Sequence, residues 1–119
     1  MGESHAILGS YDLDAEIARF APDPSSTSGR RAETLIKHDG LRVVLITMRA
    51  GATLHEHSAP GPITIHCLRG HIGVSVGNAD HELQPLGLIS LSPGERHAVT
   101  ARDACAILLT IGAHQPPDL

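Results

Sequence analysis

Ile63-Thr64-Ile65-His66-Cys67-Leu68-Arg69-Gly70-His71-Ile72-Gly73-Val74-Ser75-Val76 is the stretch that decides the fold of this chain. Ile63, Ile65 and Cys67 share one parity, and Thr64, His66 and Leu68 share the other. After Arg69-Gly70, the residues Ile72, Val74 and Val76 alternate with Gly73 and Ser75. A period of two marks a strand with one buried face, because successive side chains on an extended backbone point to opposite sides. Gly70 lets the chain change direction between the two runs, since glycine reaches backbone conformations closed to other residues.

The same pattern continues in both directions. Ala32 to Lys37 reads as a strand, His38-Asp39-Gly40 as a tight turn, and Leu41 to Met48 as a long β run. Ala50-Gly51 breaks that run, Leu54 to His57 resumes it, and Ala59 to Pro62 reads as a loop. Gly77-Asn78-Ala79-Asp80 reads as a further turn. Strands are then expected at His81–Leu83, Leu88–Leu91, His97–Ala101 and Cys105–Ile111. Asp12 to Phe20 reads as a short helix capped by Asp12, with Leu13, Ile17 and Phe20 near one face. Pro22 to Gly29 is a linker rich in helix breakers. Many short strands joined by Gly- and Pro-rich turns imply an all-β sandwich or barrel.

A length of 119 residues is that of one domain, and 41% hydrophobic content is enough to build a core. That core must be aliphatic, because Tyr11 and Phe20 are the only aromatic residues and both precede the β-rich region. The net charge of -4 is spread over interspersed acids and bases, without a basic stripe or an aromatic stacking platform, so nucleic acid is not an expected partner. No apolar run approaches the roughly 20 residues that span a bilayer, so no membrane partner is expected. Met1 to Ser10 lacks the basic-then-apolar order of a secretory signal, which makes the cytoplasm the expected compartment. Cys67 and Cys105 are two lone cysteines, expected as buried free thiols.

The chemistry concentrates in His55-Glu56-His57 and in Pro93-Gly94-Glu95-Arg96-His97. Two histidines at i and i+2 on a regular strand point the same way. A third, brought in from a distant segment, would complete a three-nitrogen face for a metal ion and leave positions open for water or substrate.

Residues 31–112 resemble a cupin, the small β-barrel of jelly-roll type (a double-stranded β-helix). Gly51, His55, His57 and Gly70 match the first motif of that family, and Gly87, Pro93, Gly94 and His97 match the second. The glutamate of the first motif is missing: Ile63 holds its place. The resemblance implies an organisation of 1–30 as a helix and linker packed on the barrel, 31–112 as the barrel, and 113–119 as a tail. It implies metal ligation by His55, His57 and His97, without the carboxylate. Such a site would suit zinc, iron or nickel better than manganese, a harder ion. It also implies a small-molecule ligand and a homodimer formed through an edge strand, with Leu41 to Met48 and the strand before it as candidates.

Other residues have more ordinary expected roles. His66 is opposite in parity to Ile63, so it should face solvent or an interface, unless the register slips by one residue. Cys67 shares the parity of Ile63 and should be a small buried group. Glu56 and Glu95 should be solvated, as should His71 and His81 at their turns. Arg49, Arg69 and Arg96 should keep the surface soluble. Dioxygenase, isomerase or lyase chemistry, a non-catalytic binding or sensor role, and a barrel with a decayed site all fit this pattern, because one fold hosts many functions.

Overall fold

The computed structural model describes residues 6–113; the side chains of Glu56 and His57 also lie outside the described part. Within it, helix α1 (Leu13–Arg19) is followed by β1 (Arg30–His38), β2 (Leu41–Met48), β3 (Thr53–His57), β4 (Ile63–Arg69) and β5 (Ile72–Val76). Then come β6 (Ala79–Leu83), β7 (Leu88–Leu91), β8 (His97–Ala101) and β9 (Cys105–Gly112). The strands build two sheets, ordered β1-β2-β9-β4-β7 and β3-β8-β5-β6.

The pairing is nested. β5 pairs with β6, β4 with β7, β3 with β8 and β2 with β9, all antiparallel. The segment β2–β5 and the segment β6–β9 thus run alongside each other as one long ribbon, bent back and forth between the sheets. Each corner of the ribbon must move the chain from one sheet to the other. Arg69-Gly70-His71 is such a corner, carrying the chain from β4 to β5. Gly70 sits there at φ +80°, and a Cβ on it would meet the carbonyl oxygen of Ala104 at 2.2 Å. No other residue fits without backbone movement.

Alternation puts one set of side chains from each sheet into a shared interior. Ile63, Ile65, Cys67 and Ile107 from the first sheet meet Ile72, Val74, Val99 and Ala101 from the second in one apolar cluster. These side chains are almost wholly removed from water. Burying an aliphatic side chain of this size contributes about 1.5–3 kcal/mol, so the cluster supplies the main drive to fold in a chain without core aromatics.

The N-terminal segment is a strap on the outside of the barrel. Asp12 caps α1 by accepting from the Asp14 backbone N–H, yet no residue of the helix is buried. Polar contacts tie the segment down instead. Tyr11 donates to the Leu35 carbonyl at 2.6 Å, and Thr47 to the Phe20 carbonyl at 2.5 Å. Arg49 donates to the carbonyls of Pro24 and Ser26, and Arg69 pairs with Asp14. Arg31 lies over the Phe20 ring, 4.9 Å from its centroid. Arg49 and Arg69 therefore hold the strap, a structural task beyond the solvation expected of them.

Three further differences from the sequence reading have physical causes. β2 is not an edge strand, because it pairs with β1 on one side and β9 on the other; of the two candidates only β1 lies at a sheet edge. Ala79 and Asp80 belong to β6, since Gly77-Asn78 alone make the turn. His71 is half-buried, with its Nε2 3.1 Å from Glu82, which also receives Arg102 at 3.1 Å. Among the described residues, no helix is long and apolar enough to cross a membrane.

Candidate functional site

Burial falls along the strands toward one end of the barrel. β2 is buried from Leu45 to Met48 and open from Leu41 to Val44. β9 is buried from Cys105 to Ile107 and half-buried beyond, and β5 opens after Val74. Strand register brings these loosened ends together. Across the first sheet, the last inward-facing row runs Lys37, Arg42, Ile111, Ile63 and Leu91. Across the second sheet, His97 lies opposite Val76 of β5.

Between these two rows lies a cavity of about 300 Å³. His97 forms one side of it, and Ile63, Leu109 and Ile111 form the other. The loop Ser58-Ala59-Pro60 covers it, and Arg42 stands at its rim. Among the described residues the walls are mostly aliphatic, with Ser58, the His97 imidazole and the Arg42 guanidinium as the polar side chains.

His97 is 1% exposed. The turn before it sets its place: Gly94, at φ +77°, donates its N–H to the Ala59 carbonyl at 2.8 Å, tying the turn to the covering loop. The ring Nδ1 lies 3.2 Å from the Glu95 carbonyl oxygen. A carbonyl can only accept, so Nδ1 is the donor in this contact.

The other histidines of the motif are placed differently. His55 is exposed and lines a separate polar hollow of about 420 Å³ beside Ser28, Arg30 and Arg49. Pairing between β3 and β8 shifts register between Leu54 and His57. A regular ladder from Leu54 opposite Val99 would bring Glu56 opposite His97; the shift brings His57 there instead. Strict alternation from His55 to His57 therefore does not apply, because a bulge inserts an unpaired residue into the strand. The side chain of His57 lies outside the described part. Among the described residues, no group of three or more His, Cys, Asp or Glu side chains is arranged to hold a metal ion.

Ile63 is buried at 4% exposure, so the position of the missing glutamate is part of the apolar wall. His66 is half-buried on the outer parity, opposite Leu88 and Leu108. Cys67 and Cys105 are buried free thiols toward the other end of the barrel. Burial pushes the Cys67 thiol up and drives that of Cys105 to about 12, with the neighbouring Cys67 adding to the rise. Neither is a ready thiolate ligand. Glu95 and Arg96 are exposed, and Glu56 has its side chain outside the described part.

Arg42 and Lys37 were not among the candidates read from the sequence. The signal was present: Arg42 has the same parity as Val44, Ile46 and Met48, so it stands on the inner face of its strand.

No protein-family model matches this sequence, and no curated protein matches it. Solved structures do match by fold. One is a cupin of the RmlC-like group from Shewanella frigidimarina, with TM-score 0.72 at 14% identity, covering 92% of this chain and 94% of that one. A cupin superfamily protein from Desulfitobacterium hafniense matches with TM-score 0.71 at 14% identity, covering 77% and 84%. A conserved protein of unknown function from Streptococcus pyogenes matches with TM-score 0.70 at 20% identity, covering 76% and 80%. The nested pairing and these likenesses together define the architecture: this chain has the cupin fold, a double-stranded β-helix.

Proposed function

We propose that this barrel is a small-molecule-binding module and that the His97 cavity is its site. One observation carries the reading: a nearly solvent-free imidazole, its Nδ1 held by a backbone carbonyl, lines a largely aliphatic hollow in which Arg42 is the one charged side chain among the described residues. Few polar groups set in apolar walls are what orient and retain a small ligand. Ligand-observed NMR with a panel of small acids, alcohols and amines tests it. Ligands should bind the native protein and be lost from Ile63→Trp, which fills the cavity, and from Ala59→Leu, a gentler obstruction at the cover. Ligands that bind all three proteins alike would contradict the assignment.

A second reading places a divalent metal at the same cavity, held by His97 with His57 and His55. Two features favour it. The Glu95 carbonyl accepts from Nδ1 of His97 and orients the ring, an arrangement typical of ligating histidines. The β3–β8 register puts His57 opposite His97. His55, lining a different hollow, fits less well. Zinc, iron or nickel would supply Lewis-acid or redox chemistry to a bound substrate. Elemental analysis of untagged protein, repeated with His57→Ala and His97→Ala, tests this reading. It requires about one metal per chain in the native protein and loss in both variants.

A homodimer would use β1, the edge strand of the larger sheet. Light scattering at micromolar concentration should then give twice the chain mass, and Thr34→Pro in β1 should shift it to one chain mass.

A further inference from the structure

We infer that the ligand of the His97 cavity is a small organic carboxylate with an apolar body, its charged end met by Arg42 at the rim. The inference rests on the cavity being the binding site, and deepens that reading.

The first observation is where Arg42 stands. It occupies an inward-facing position on β2, in line with Val44, Ile46 and Met48, and shares its row with Ile111 and Ile63. A guanidinium there costs apolar packing that an aliphatic side chain would provide.

The second observation is what Arg42 does not do. Arg30 donates to the Thr53 carbonyl, Arg49 to the strap, Arg69 to Asp14 and Arg102 to Glu82. Arg19 pairs with Glu16, Arg31 stacks on Phe20, and Arg96 is also engaged. Among the described residues, Arg42 alone of the arginines has no hydrogen bond, ion pair or ring contact. Among the described residues, Lys37, its cross-strand neighbour, has no carboxylate partner either.

The third observation is the sign of the surroundings. No described residue lining the cavity is acidic, and Ile63 stands where the family resemblance would place a glutamate. A cation beside low-dielectric walls attracts an anion more strongly than one in open water does. A planar guanidinium matches a carboxylate with two parallel hydrogen bonds. The aliphatic side chains of Ile63, Leu109 and Ile111 would receive the rest of the molecule. The lining thus sets one cation beside hydrocarbon, with the buried His97 imidazole opposite.

Calorimetric titration with hexanoate and benzoate, against 1-hexanol and benzyl alcohol, tests the inference. The native protein should prefer each acid over its alcohol by about tenfold or more, a difference of roughly 1.4 kcal/mol. Arg42→Ala should abolish that preference while leaving the alcohols' affinity in place. Arg42→Lys should restore part of it, and Arg42→Glu should reverse it. Equal binding of acid and alcohol to the native protein, or a preference that survives Arg42→Ala, overturns the anion inference and leaves the cavity intact as a site. If neither acids nor alcohols bind the native protein, the cavity assignment fails and takes the inference with it.

Discussion

The two ends of this barrel are built from the same strands and do opposite things. At one end Met48, Cys67, Ile72, Ala101 and Cys105 close the interior, each less than a tenth exposed. At the other, the same strands finish in Arg42, Ile111 and Val76, none of which is buried, and the sheets part around His97. The closed end spends its apolar surface on stability. The open end leaves apolar surface uncovered, and that surface is available to a ligand. Function in a small barrel is therefore expected where packing is deliberately incomplete.

That contrast can be broken by truncating each end in turn. Ile72→Ala, in the closed half, should cost about 2–5 kcal/mol, because it removes a fully buried side chain and leaves a void. Ile111→Ala, at the open end, should cost only about 1 kcal/mol, since its side chain is half-solvated already. Urea unfolding of both variants measures the difference. Equal losses would show that the ends are packed alike.

The closed end should also be chemically silent. Burial holds both thiols in the protonated form, with Cys105 pushed up to about 12. Iodoacetamide at mildly alkaline pH should leave the folded protein unmodified and label both cysteines once urea unfolds it. Mass spectrometry reads the outcome; rapid labelling of the folded chain would mean that this end breathes.

The smallest effect lies outside the barrel interior. Arg102 beside Glu82, by hydrogen bond and charge, holds that carboxyl below its ordinary range, and His71 adds to it. A carboxyl whose folded value is depressed stabilises above its unfolded value and loses that contribution as pH falls through the folded one. Stability should therefore decline below about pH 4.3, the ordinary glutamate value, and Glu82→Gln should flatten part of that decline. Because Glu82 and Arg102 are exposed, the change in unfolding midpoint should be small.

The architecture was legible because alternation is a local signal. Ile63 to Val76 states its parity residue by residue, and the buried set Ile63, Ile65, Cys67, Ile72 and Val74 follows that parity. The helix cap at Asp12 and the turns at Gly40 and Gly70 were legible for the same reason. Relations between distant strands were harder to read. The bulge between Leu54 and His57 exists only against β8, so nothing in His55-Glu56-His57 announces it. That β2 lies inside its sheet depends on β9, more than fifty residues away in the chain. Arg42 was overlooked because a lone arginine in a hydrophobic run normally reads as a surface charge. Its parity with Val44, Ile46 and Met48 marks its face, and the strand register then shows that this face lines a cavity. His97 stands out in the sequence as a candidate, while its burial and the contact of its Nδ1 depend on Glu95 and the covering loop.

The most direct test of the account is a methyl NMR titration with hexanoate, using selectively labelled isoleucine, leucine and valine. The account predicts saturable shifts at Ile63, Leu109 and Ile111, with Ile72 and Val74 unmoved. Shifts spread evenly over both ends, or none at the open end while the ligand binds elsewhere, would contradict it.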